Sequence, residues 1–138
     1  MKALSTTRQL TALFVFTIFA LIGIGSAQAE ELHSGTWQKK AYSSAGTWSI
    51  ETEGEKTYLK IKNLKTKSGP DLKLFLSPLS TSKVKGSNAT KGSLKISSLP
   101  SPKGTHKIAL PKGTDLSKYK SVIIHCEKFS KLWSAGQL

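Results

Sequence analysis

The chain has 138 residues, 21 Lys+Arg against 8 Asp+Glu, a formal net charge of +13 and a single cysteine. One cysteine rules out an intrachain disulfide framework. The few acids leave little for paired-carboxylate chemistry, and no Gly-rich phosphate loop, CxxC, HExxH or Gly-x-Ser-x-Gly stretch occurs, which points away from a hydrolase.

The first residues, MKALSTTRQ, carry Lys2 and Arg8. The uncharged apolar run LTALFVFTIFALIGIG follows, then SAQAEE. This is the order of a secretory signal peptide over residues 1–29, cleaved after Ala29. The apolar run is shorter than the ~20 residues that span a bilayer. The mature chain is then residues 30–138, with 30–34 expected as a flexible start and 35–138 as one domain. An exported chain of this kind resides in the periplasm or outside the cell, with no membrane-spanning segment after cleavage. Removing Lys2 and Arg8 leaves 19 basic residues against 8 acids, a net of +11. Arg8 is the only arginine, so every basic residue of the mature chain is lysine. Arginine is the usual reader of guanine and phosphate by bidentate contact, so a sequence-specific nucleic-acid binder is not expected. A diffuse lysine field suits anionic envelope polymers, an anionic lipid surface or an acidic protein partner; solubility alone explains it equally well.

The mature part alternates with a period of two. GTWSIETE sets Trp48 and Ile50 on one face. TYLKIKN sets Leu59 and Ile61 against Tyr58, Lys60 and Lys62. DLKLFLS offers Leu72, Leu74 and Leu76, SLKIS offers Leu94 and Ile96, and THKIAL offers His106, Ile108 and Leu110. SVIIHCE sets Val122, Ile124 and Cys126 against Ile123, His125 and Glu127. These are strand signals, and glycines punctuate them as turns require. GTDLSKY predicts one helical turn capped by Thr114. The pattern predicts an all-β antiparallel sandwich, or a barrel-like variant, of about eight short strands. Lys60, Lys62, Lys73, Lys95 and Lys107 fall on outward positions, where lysine also discourages edge-to-edge pairing. Residues 78–93, PLSTSKVKGSNATKGS, predict a long surface loop and the least ordered stretch.

Four stretches carry a family resemblance: GTWQKKAYSSAGTWSIE, TYLKIKN, LKTKSGPDLKLFLSP and GTHKIALPKGTDLSKYKSVIIHCEKFSKLWSAGQL. The most specific parts are Gly69-Pro70-Asp71-Leu72 and Cys126-x-x-Phe129. Taken in order, they resemble the DM-13 domain, described as an electron-transfer domain, over nearly all of 35–138. The resemblance implies a β-sandwich-like fold and a redox role for the cysteine, which here is Cys126, either as a naked thiol or as a ligand to a group such as haem. It also implies a redox partner protein. The chain departs from the pattern in having His125 where an aromatic such as Trp is expected.

Cys126 carries four readings. It is a buried core residue, half of a disulfide between two copies of the chain, a reactive thiol, or a prosthetic-group ligand. Alternation places His125 on the opposite face, so the two cannot share one metal without a bulge. Lys128 falls on the face of Cys126 if the strand continues, where its charge would favour a thiolate. Trp37, Trp48 and Trp133 read first as core anchors, and Asp71 as a turn residue that accepts backbone N–H groups. The expected function is an exported redox or electron-transfer module built on Cys126. The alternative is a non-enzymatic envelope-binding module that uses its lysine face on anionic polymers or an acidic partner.

Overall fold

The computed structural model describes residues 28–138. The signal-peptide reading falls on residues 1–27, outside the described residues, apart from its last two positions. Among the described residues no helix is long and apolar enough to cross a membrane.

Nine strands form two antiparallel sheets. They are β1 Glu30–Thr36, β2 Gln38–Lys39, β3 Ser44–Glu53, β4 Lys56–Thr66, β5 Leu72–Ser77, β6 Leu94–Ser98, β7 Lys103–Ala109, β8 Ser121–Cys126 and β9 Lys131–Gln137. One sheet has the order β1-β3-β4-β7, the other β2-β9-β8-β5-β6. The arrangement is an open sandwich, not a closed barrel. Each of the six expected runs is a strand, because alternation gives each one an apolar face to bury. Trp48 and Ile50 of β3 and Leu59 and Ile61 of β4 meet Leu74, Leu76, Val122 and Ile124 of the other sheet in one core.

Several expectations need correction. The flexible start expected at 30–34 is instead most of β1, whose Glu30 to Thr36 pair with Thr52 to Thr47 of β3. Backbone pairing outweighs its polar composition, and it sits as an exposed edge strand. The single helical turn is a 3-10 turn at Leu116–Lys118 capped by Asp115, whose carboxylate accepts from the Ser117 N–H at 3.1 Å. Thr114 instead donates to the Pro111 carbonyl.

The loop 78–93 is the largest difference. It lies across the outer face of the five-stranded sheet and buries Val84 and Ala89 there. With Phe75, Ile123, Leu132 and Ala135 they form a second apolar cluster, on the side of the sheet away from the main core. Asn88 holds the loop together: its Oδ1 accepts from the Lys85 N–H at 2.7 Å and its Nδ2 donates to the Lys83 carbonyl at 3.2 Å. Thr81 donates its backbone N–H and its hydroxyl to Gln137 of β9. Strand β8 is therefore buried on both faces along its whole length.

Candidate functional site around Cys126

Cys126 is the last residue of β8, the central strand of its sheet. It pairs with Leu72 of β5 on one side and Lys131 of β9 on the other. Its side chain is 0% exposed and belongs to the main core with Val122, Ile124, Leu72 and Trp133. The expected alternation holds, and His125 faces the other way, its ring edge-on to Phe75 at 6.1 Å between centroids. A bulge does occur at this point, between Ile124 and His125 on the β9 side of the ladder. The extra residue belongs to β9, so β8 keeps its alternation. The bulge lets Trp133 join the main core while the neighbouring Ser134 hydroxyl lies 2.8 Å from that of Ser44 on β3. His125 and Cys126 stay on opposite faces, and the pair cannot hold one metal ion.

The two most specific motif blocks meet here. The Asp71 carbonyl accepts from the Glu127 N–H at 3.2 Å, and Leu72 lies across the ladder from Cys126. Gly69 explains itself by contact: a Cβ there would come within 2.9 Å of the Leu72 Cδ2 and 3.0 Å of the Trp133 ring. Trp133 is further fixed by its Nε1, which donates to the Lys67 carbonyl at 2.8 Å, and by Tyr42, whose ring centroid lies 4.3 Å away. Asp71 differs from the expectation. Among the described residues its carboxylate takes no backbone N–H but sits 3.2 Å from the Lys73 ammonium, and Lys73 in turn binds Glu127. Glu127 foremost holds the Lys73 ammonium well above its ordinary pKa, with burial opposing and Asp71 adding to the rise. These ion pairs tie the start of β5 to the end of β8 on the sheet's outer side.

Lys128 also differs from the expectation. β8 stops at Cys126, and residues 127–130 turn back toward β9, with the Ser130 N–H donating to the Glu127 carbonyl at 3.2 Å. Lys128 is exposed on that turn and does not share the Cys126 face. The three tryptophans are core residues, as expected. Trp48 donates its Nε1 to the Thr36 carbonyl at 3.2 Å and packs against Trp37 at 6.4 Å between ring centroids. His125 is 2% exposed, its Nδ1 has no hydrogen-bond partner, and burial lowers its pKa against the opposing charge of Glu127.

A haem bound through Cys126 would need an apolar slot beside the sulfur. The grooves that flank this end of the sheet are lined by residues 69–72 and 98–102 on one side and 129–132 on the other, and Cys126 lines neither. The sulfur is walled in by packed core, and a haem does not fit it. A disulfide between two copies meets the same barrier, because the thiol lies beneath the surface that a second copy would touch.

Sequence reasoning did not pick out Phe129 as more than a motif letter. It is 58% exposed, beside a groove shared with Lys40, Lys85 and Lys131. Its exposure depends on the end of β8, which the alternation pattern alone leaves open. No curated protein and no solved structure matches the chain. Residues 36–138, from the end of β1 to the last residue, match the family described as Electron transfer DM13. The two most specific blocks of the resemblance are the two that meet at Cys126, and the chain belongs to the Electron transfer DM13 family.

Proposed function

We propose that the chain is an exported electron-transfer module in which Cys126 is itself the redox group, acting as a naked thiol sealed in the sandwich. The observation that carries this reading is the complete burial of Cys126 at the point where the family's two blocks join. Burial selects among the reactions of a thiol. Thiol–disulfide exchange needs a second sulfur to reach Sγ, and that route is closed. Electron exchange with a docked protein needs no atomic contact. In the half-reaction the Cys126 S–H gives one electron to an oxidised partner protein and one proton to water, leaving a thiyl sulfur; the reverse restores it. The proton leaves when the end of β8 opens locally. Burial also keeps the thiol from the stepwise oxidation that an exposed thiol meets outside the cytoplasm.

The test is anaerobic mixing of the purified mature protein with a one-electron protein oxidant strong enough to oxidise a thiol to a thiyl radical, such as the ferryl form of a haem peroxidase. The wild type is expected to reduce the ferryl haem faster than the Cys126→Ser variant, which keeps its β-sheet circular dichroism. Equal reduction by both would sink the redox reading. A further Cys126→Ala variant that loses about 1–2 kcal/mol of stability and no activity would make the residue core packing alone.

The second reading, a binding module for anionic polymers or an acidic partner, is favoured by lysines that stand free of carboxylates. Most of the outward strand lysines do not qualify. Lys60 pairs with Glu51 and Glu53, Lys107 with Glu53, and Lys73 and Lys95 with Glu127. The uncompensated charge lies elsewhere on the surface.

A further inference from the structure

The groove beside Phe129 gathers features that point to a partner. It encloses about 480 Å3 between the loop 78–93 and the β8–β9 turn. Val84 and Leu132 form its apolar floor, and Lys40, Lys85 and Lys131 stand around it. Phe129 is exposed at its edge, where a large aromatic side chain gains nothing from burial within this chain. None of the three lysines forms an ion pair among the described residues. Glu127, two residues before Phe129, is instead engaged by Lys73 and Lys95. Lys40 is held in place by donating to the Thr81 carbonyl at 2.6 Å. The groove is rigid at its base as well: Gly86 lies so close to the Ser130 carbonyl that a Cβ would overlap it. The groove is also next to the redox residue, because Lys131 is the ladder partner of Cys126 and Phe129 follows it by three residues.

We infer that this groove is the docking site for an acidic protein, the redox partner that the electron-transfer reading requires; the inference rests on that reading for the partner's role but not for the binding. An aromatic anchor ringed by like charges is the make-up of an interface whose apolar centre binds and whose charged rim steers. Weak electron-transfer encounters need only a small patch of this kind. The lysines call for an acidic partner, and the electron-transfer reading makes that partner a protein and not a lipid surface. Docking here places the partner one ladder rung from Cys126.

Fluorescently labelled poly-L-glutamate serves as the acidic polypeptide probe, with vesicles of phosphatidylglycerol and phosphatidylcholine in parallel. The probe is expected to bind the wild-type mature protein and to weaken as salt rises toward ~150 mM. Phe129→Ala is expected to weaken it about five- to tenfold with no change in charge. Lys85→Glu with Lys131→Glu is expected to weaken it further, whereas Lys103→Glu with Lys112→Glu, the same charge change on β7 and the loop after it, changes it no more than about twofold. Equal losses from the two double variants, with Phe129→Ala unchanged, would overturn the site in favour of a diffuse field. Vesicle capture that depends on Phe129, with the probe indifferent to it, would overturn it in favour of lipid. Binding by Cys126→Ser at wild-type strength is expected, so a failed redox assay leaves the groove standing, and an indifferent Phe129 leaves the redox reading standing.

Discussion

The place of His125 in the fold favours its neutral form. Burial beneath the outer face of the sheet lowers its pKa, and the Glu127 carboxylate only partly offsets this. Lys73 faces it from β5 across the ladder and stays charged. The unfolded chain binds a proton at this side chain near the ordinary value of about 6.5, whereas the folded chain binds it only at lower pH. Between those two values the unfolded state holds more protons, so stability rises with pH and is lost as pH falls. The melting temperature is therefore expected to drop between about pH 7 and pH 5 in the wild type and to stay nearly flat in His125→Leu. Glu51, Glu53 and Asp115 are all held below their ordinary values by hydrogen bonds, from Lys60, Lys107 and Ser117 respectively. They stabilise the fold above the ordinary carboxylate range and add their loss mainly below about pH 5. A wild-type slope retained in His125→Leu would show that another group carries the titration.

The loop 78–93 behaves as a structural element although it contains no strand. It supplies Val84 and Ala89 to the second apolar cluster and shields Phe75 and Ile123, which the sheet alone would leave in water. Gly86 packs so tightly against the Ser130 carbonyl that a Cβ there would overlap its oxygen. Ser130 itself takes a positive φ of 47° to close the β8–β9 turn, so that turn has little freedom to yield. Gly86→Ala is expected to push the loop off the sheet at a cost of about 1–3 kcal/mol. Faster proteolytic cutting within 79–92 would be the direct readout. A variant as resistant and as stable as the wild type would mean that the loop shifts without losing its seal.

At the scale of the whole fold, β8 is buried at every position, the most enclosed strand among the described residues. It has β5 and β9 as ladder neighbours, the four-stranded sheet on one face and the loop 78–93 on the other. Amide hydrogens of Val122 to Ile124, in the middle of β8, are therefore expected to exchange only with global unfolding. Cys126, at the end of β8, is the exception: the local opening that proton release requires is expected to let iodoacetamide label it faster than the global unfolding rate. Labelling no faster than global unfolding would exclude that opening and, with it, the proposed route of proton release.

The sequence by itself determined the sandwich class, because period-two alternation forces one face of every strand to find a partner face. It also determined the face of Cys126, since Val122, Ile124 and Cys126 share one parity. β9 was legible only weakly: its run of Leu132, Trp133, Ser134, Ala135 and Gly136 breaks alternation at the bulge. The second core layer had a trace in the sequence, as SVIIHC and LKLFLS carry apolar residues at both parities, the mark of a strand buried on both faces. What covers that second face could not be read, because the loop 78–93 is polar in composition and contributes only a few small apolar side chains. Only the tertiary structure decided that Cys126 is sealed, that Asp71, Lys73 and Glu127 form one ion-pair cluster, and that Phe129 lies open among lysines. Each of these depends on segments far apart in the chain coming within van der Waals or ionic reach, and a local pattern holds no record of that.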